Sequence, residues 1–405
     1  MITQEFIRRM VVKNDAKIVL LVMDGLGGIQ HPELQKTELE MSRHDILDGL
    51  AAKSECGFHD PIAPGVTPGS GPAHLGIFGY DPLQYEIGRG LLDSLGVDFE
   101  FQKGDLAARG NFATVSGDGT IIDRRAGRIA SDASAKICKL LDGSVIDGVK
   151  IFVLPVKEHR FAVVFRPPEG TILSDRLTDS DPQKEGLKNL QVNPTVSAAG
   201  FSASIVNKFI AASDEKLKAA RPANAVLLRG FANMIDIPSF GDVFAMRALC
   251  IAAYPMYKGL SRLVGMDVAK GCDTIISEFE TLKKNFDKYD FFFVHIKATD
   301  SAGEDGDFSR KVKAVEDVDL CVPGILELDP TVLVVTGDHS TPAAMKSHSW
   351  HPVPLMIYSK SARYNPAVKR FTETEFIKGS LGRIPATSVM TMALSHARRL
   401  AKFGA

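Results

Sequence analysis

Val334-Val335-Thr336-Gly337-Asp338-His339-Ser340-Thr341-Pro342 opens as an apolar run, Val332 to Val335, and breaks at Gly337 into two residues that bind metals well. A short apolar run of this kind reads as a strand buried on both faces, as in a parallel sheet. Asp338-His339 then sits just past the strand's C-terminal end. A second group, His348-Ser349-Trp350-His351-Pro352-Val353-Pro354, begins six residues after Pro342. The pattern reads as half of a metal site, whose other half must come from elsewhere in the chain.

Two more apolar runs end the same way. Lys17–Met23 leads into Asp24-Gly25-Leu26-Gly27-Gly28, and Tyr289–Ile296 into Lys297-Ala298-Thr299-Asp300, with Glu304 close behind. Alone, Asp24-Gly25 reads as a turn. Three separate strands delivering carboxylates to one edge read differently, because ligands of open α/β sheets bind outside the C-terminal strand ends. Charges gathered there without a partner or a metal are costly. Carboxylate with imidazole suits Mn²⁺, Mg²⁺ or Zn²⁺, and paired ions would stabilise the entering and leaving oxygens of a phosphoryl group.

The remaining residues bound the class. The chain has 405 residues, 45% hydrophobic and 24% charged, with a formal net charge of −1. That balance gives no global drive toward nucleic acid or a membrane surface, so an anionic small molecule must be met by local clusters. The five cysteines (56, 138, 250, 272 and 321) are scattered with no Cys-x-x-Cys pair. A reducing, cytoplasmic setting is expected. No apolar run approaches the ~20 residues that span a bilayer, and Met1–Lys17 lacks a signal-peptide core. Oligomeric state is not legible.

In chain order, helical patterning covers Thr37 to Lys53, followed by the loop Pro64–Gly76 with Pro68-Gly69-Ser70-Gly71-Pro72-Ala73-His74 at its centre. Pro72 just inside a helix start, with Ser70 before it, would put the hydroxyl among free backbone N–H groups. Ser70 thus reads either as a helix cap or as a nucleophile held where anions are favoured; His74 reads as a packed histidine. Strand signals then dominate: a hairpin at Asp118-Gly119, then Ile151–Pro155 and Phe161–Phe165 flanking Glu158-His159-Arg160. Residues 105–235 read as a smaller α+β domain inserted between core segments 1–104 and 236–405. Its Arg124, Arg125, Arg128, His159 and Arg160 would clamp a carboxylate or phosphate, although an Arg-Arg pair also fits plain surface charge. Ser174–Pro194 reads as a long loop. Arg229 and Lys258 are expected at or after strand ends, and a terminal helix is expected near Ser388 to Phe403. The fold class is α/β: a doubly wound, mostly parallel sheet carrying a smaller inserted α+β domain.

These residues also carry a resemblance. Asp24, Ser70, Asp300, Asp338-His339 and His348-x-x-x-Pro352-Val353-Pro354 resemble the metal core of the alkaline phosphatase superfamily. The wording from Pro68 to Pro82, with Gly88-Arg89-Gly90, resembles the archaeal-type branch of the cofactor-independent (2,3-bisphosphoglycerate-independent) phosphoglycerate mutases. The resemblance covers nearly the whole chain. It implies a cytoplasmic glycolytic and gluconeogenic isomerase that interconverts 3- and 2-phosphoglycerate through a phosphoserine, with two divalent ions and no 2,3-bisphosphoglycerate. Ser70 would be the phosphorylated residue, in one shell with Asp24, Asp338 and His339, while Asp300 and His348 hold the second ion. Lys258 and Arg229 match the active-site lysine and a substrate arginine; Arg89 and the inserted domain's Arg124, Arg125, Arg128, His159 and Arg160 would bind phosphoglycerate. Where the family usually has Asp-x-x-x-His, this chain has Asp300-x-x-x-Glu304. A carboxylate for an imidazole is a harder ligand, favouring Mn²⁺ or Mg²⁺ over Zn²⁺ or Co²⁺. Two rival functions remain at this level: a metal-dependent phosphomonoesterase or other phosphomutase of the same superfamily, and a metal- or phosphate-binding module without turnover.

Overall fold

The computed structural model describes residues 3–404; residues 1, 2 and 405, which close the expected core segments, lie outside it. The chain divides into two compact units. The first comprises Met1–Glu86, Ile237–Tyr254 and Val264–Ala405, the second Ile87–Asp236 and Pro255–Leu263.

The first unit is built on an eight-stranded sheet. From one edge its order is Asp267–Val268, Ala248–Ala252, Phe291–Ile296, Ile18–Met23, Val332–Thr336, Val353–Ser359, Glu55–Asp60 and Gly382–Pro385. Among the described strands only Val353–Ser359 runs against its neighbours. The three strands singled out by their apolar runs are adjacent, with Ile18–Met23 in the middle, and all three are fully buried. A strand covered on both faces explains why these segments are continuous in hydrophobicity and do not alternate. Parallel pairing puts their C-terminal ends side by side, so Asp24, Asp300 and Asp338 emerge at one edge.

The second unit is an antiparallel sheet in the order Ile121–Asp123, Leu106–Val115, Arg160–Arg166, Val149–Lys157 and Val145–Ile146, with Ala225–Ala232 also pairing Leu106–Val115. The hairpin at Asp118-Gly119 and the pair flanking Glu158-His159 form as expected. Helices Ser131–Leu141 and Gly200–Leu217 contribute Cys138, Leu141, Ile205, Val206 and Phe209 to its core, where Phe112 and Phe161 stack 4.5 Å apart. The unit begins before residue 105 and takes in a helix from beyond residue 235. Helix Arg89–Gly96 lies against helix Pro255–Leu263 so closely that a Cβ on Gly259 would come 1.9 Å from the Leu92 carbonyl oxygen. Only glycine permits that approach, and it ties the second segment to the first.

Four local expectations change. The Thr37–Lys53 helix is two helices, Glu38–Met41 and Asp45–Ala51. The break comes at Ser42, whose hydroxyl turns back to the Leu39 carbonyl, and Asp319 then caps the second helix by accepting from Ile46 and Leu47 N–H. Ser70 is the first residue of helix Ser70–Ile77, behind Gly69 at the cap, and its hydroxyl faces His339 Nε2. Arg229 lies within strand Ala225–Ala232, and Lys258 lies on helix Pro255–Leu263, which Pro255 starts by lacking an N–H. The terminal helix stops at His396: Arg398 is left-handed (φ 52°), and the buried Arg399 donates to the Asn14 and Ala16 carbonyls.

Candidate metal centre

The first unit's site is assembled where three parallel strands end. Asp24 follows Ile18–Met23 directly. Asp300 lies in the first turn of helix Ala298–Asp305, and Asp338-His339 follow Val332–Thr336. All four side chains are fully buried. Gly25 makes the crowding at Asp24 feasible: at φ 67° it carries no side chain, and a Cβ would lie 2.6 Å from Thr341 Oγ1 and 2.9 Å from Asp300 Oδ1. Its N–H donates to Asp338 Oδ1 at 3.1 Å, tying the first and last ligand loops together.

Two groups of potential ligand atoms result, Asp24 with Asp338 and His339, and Asp300 with His339 and His348. His339 belongs to both. Its Nε2 lies 3.1 Å from Asp338 Oδ2, 3.4 Å from Asp24 Oδ1 and 3.2 Å from Ser70 Oγ. Its Nδ1 faces Asp300 Oδ1 at 4.0 Å and Thr341 Oγ1 at 2.9 Å. Burial pushes His339 below the usual imidazole range, opposed by Asp338 and Asp24. Burial raises the Asp24 carboxyl, but Lys297, His295 and His339 outweigh it and hold the group well below the ordinary range. Asp338 is also held low: burial and Asp24 raise it, and His339 and His74 overcome them. Three carboxylate side chains wholly inside the protein, with imidazole beside them, fit divalent cations by donor type.

Glu304 and His348 differ in placement. His348 Nδ1 contacts the Pro68 carbonyl at 2.9 Å, while its Nε2 lies 3.7 Å from Asp300 Oδ1. His351 instead turns to Ser349 Oγ at 3.0 Å and stacks on Trp350. Glu304 is 54% exposed, with Oε1 3.8 Å from His348 Nε2, and among the described residues it is in neither ligand group.

Several neighbours carried no role in the sequence reading. His295 Nε2 and Lys297 Nζ lie 3.2 and 2.9 Å from Asp24 Oδ2, and His74 Nδ1 lies 3.1 Å from Asp338 Oδ2. His295 and Lys297 are two residues apart at a strand end, which places both on one face; that spacing is a signal that could have found them. Beneath the loops, the buried Lys311 donates to the Gly27 and Thr341 carbonyls, 3.8 Å from Glu38.

The second unit gathers its own cationic cluster. Arg109 and Asp93 form a buried bidentate pair, and Arg124 pairs bidentately with Asp181. Arg229 Nε is 3.9 Å from Asp181, and burial together with Arg109 and Arg89 pushes its pKa down to about 10. Arg89 is exposed and Lys258 half-buried. Separately, burial and then Arg160, Arg125 and Arg128 lower His159 to about 4. Arg109, Asp93 and Asp181 carry no sequence signal because a strand, a helix and a loop bring them into these pairs from separate parts of the chain.

Fold and centre together place the chain among the metal-binding enzymes of the alkaline phosphatase superfamily. Residues 51–224 match the 2,3-bisphosphoglycerate-independent phosphoglycerate mutase family. The "Probable 2,3-bisphosphoglycerate-independent phosphoglycerate mutase" of Thermosipho africanus is 52% identical over 404 residues, 99% of each chain. The protein of the same description from Aquifex aeolicus is 48% identical, covering 99% of this chain and 100% of its own. The cofactor-independent phosphoglycerate mutase of Thermoplasma acidophilum superposes with a TM-score of 0.68 at 30% identity, over 94% of this chain and 100% of that one. The PH0037 protein of Pyrococcus horikoshii gives a TM-score of 0.83 at 29% identity, over 97% and 100%. The chain belongs to the 2,3-bisphosphoglycerate-independent phosphoglycerate mutases and is an isomerase of that family.

Proposed function

We propose that the protein, of the archaeal-type branch suggested by its Pro68–Pro82 wording, interconverts 3-phosphoglycerate and 2-phosphoglycerate through a phosphoserine at Ser70. The observation that carries this reading is the Ser70 hydroxyl at a helix start, 3.2 Å from His339 Nε2 beside the carboxylate groups. Two divalent ions, Mn²⁺ or Mg²⁺ by the oxygen-rich donor set, would favour the serine alkoxide and neutralise charge on the transferring phosphoryl group. Asp24, Asp338, His339 and Ser70 are the residues for one, and Asp300 and His348, with His339 between them, for the other.

In the first transfer Ser70 Oγ forms a bond to phosphorus as the ester bond to the glycerate 3-oxygen breaks. In the second, the glycerate 2-oxygen takes the phosphoryl group and the serine hydroxyl is regenerated. Between the two, glycerate must be held and water kept out, which separates a mutase from a phosphatase. We assign the holding of the substrate's carboxylate and phosphate to Arg89, Arg124, Arg125, Arg128, His159, Arg160, Arg229 and Lys258. Planar guanidinium groups match both anions bidentately. Acid-quenching the Mn²⁺-treated enzyme with 3-phosphoglycerate and mapping its peptides tests the reading. Phosphate on Ser70 is expected, absent from Ser70→Ala; turnover without any phosphopeptide would overturn it.

A further inference from the structure

The structure assigns to Lys297 the role of a built-in third cation of the metal centre. This inference rests on the two-metal reading given above. Lys297 caps the start of helix Ala298–Asp305, and its ammonium lies 2.9 Å from Asp24 Oδ2 and 2.5 Å from Asp300 Oδ2. Those carboxylates belong to different ligand groups, and Lys297 touches one from each. Each aspartate turns Oδ2 to Lys297, while Asp24 Oδ1 lies 3.4 Å from His339 Nε2 and Asp300 Oδ1 lies 4.0 Å from His339 Nδ1. The ammonium thus bridges the two Oδ2 oxygens, and the Oδ1 oxygens of the same aspartates lie toward the shared imidazole. Tyr254 backs it with its ring centroid 5.8 Å from Nζ, a distance at which the ring face favours a cation.

Charge gives this placement a consequence. Asp24, Asp300 and Asp338 bring three carboxylate groups together inside the protein. Glu304 adds a fourth carboxylate nearby but is half exposed and, among the described residues, outside both groups. Lys297 lowers the net negative charge that draws in divalent ions, and at short range in a buried site a unit charge matters. The same positive charge favours a phosphoryl dianion once the ions are bound. The two effects have opposite signs, so Lys297 trades metal affinity for anion affinity.

Calorimetric titration of the metal-free protein with Mn²⁺, then of the Mn²⁺-loaded protein with inorganic phosphate, reads both effects without turnover. For Lys297→Met, Mn²⁺ should bind at least about three-fold more tightly. Phosphate should bind about three-fold more weakly, the scale of a nearby charge removed without a direct contact. Lys297→Gln should repeat both shifts should the methionine variant fold poorly, and Lys297→Arg should bind Mn²⁺ as the wild type does. Weaker or unchanged Mn²⁺ binding in the neutral variants would overturn the inference, since a purely structural lysine loosens both ligands when removed. Wild-type protein that takes up no Mn²⁺ would instead overturn the two-metal reading itself.

Discussion

The rings of His339 and His348 stack with centroids 3.6 Å apart and planes 26° from parallel. One imidazole thus stands between the two carboxylate groups, and the other packs on its face. Removing His348 therefore takes away a donor to the second group and the support of the shared one. We expect His348→Ala to hold one Mn²⁺ per chain where the wild type holds two, as counted by elemental analysis after desalting. Mutase activity should fall by about 100-fold or more, as when one ion of a two-metal site is lost.

Glu304 should matter much less. It is half exposed and 3.8 Å from His348 Nε2, where solvent screens it. Glu304→Ala should change Mn²⁺ affinity by less than about five-fold, the scale of a solvent-screened pair. Glu304→His should shift preference toward Zn²⁺ or Co²⁺, because imidazole is the softer donor. Competition titrations among the four ions read both outcomes.

The Arg109–Asp93 pair is buried on both sides. Truncating one partner strands the other charge without water. Asp93→Asn should destabilise the protein by about 3–5 kcal/mol in urea unfolding, the usual cost of breaking a buried pair. Exposed pairs such as Lys360–Asp329 should show no comparable loss.

Asp214, on helix Gly200–Leu217, accepts the Val226 N–H at 3.1 Å, and burial raises its pKa to about 6. The folded state therefore holds this proton more tightly than the unfolded chain does. Its contribution is favourable at low pH and is lost as pH rises from about 4, the unfolded value, through about 6. Asp214→Asn keeps the acceptor and removes the charge. It should stabilise the protein by about 1–2 kcal/mol at pH 8, allowing for partial exposure, and by nothing at pH 4.

Much of the centre was legible because buried parallel strands leave a plain trace: continuous apolar runs ending in polar residues. Asp24, Asp300 and Asp338-His339 were found that way. Pairing three such ends needed only the rule that ligands gather at one sheet edge. The residues behind the ligands left a fainter trace. His74 reads as a packed histidine because nothing local says that Asp338, 264 positions away, faces it. Pro255–Lys258 reads as a continuation of the strand before it, since an apolar run alone cannot separate a buried strand from a buried helix. The proline is the local marker of the change. The departure at Glu304 was visible, but its exposure depends on which way helix Ala298–Asp305 turns after Asp300, which composition does not specify.

The most direct measurement follows 3-phosphoglycerate incubated with the Mn²⁺-loaded enzyme by phosphorus NMR. Growth of the 2-phosphoglycerate signal to equilibrium, with no inorganic phosphate and with no reaction for Ser70→Ala, is the predicted result. Release of inorganic phosphate without 2-phosphoglycerate would contradict it and make the chain a phosphatase.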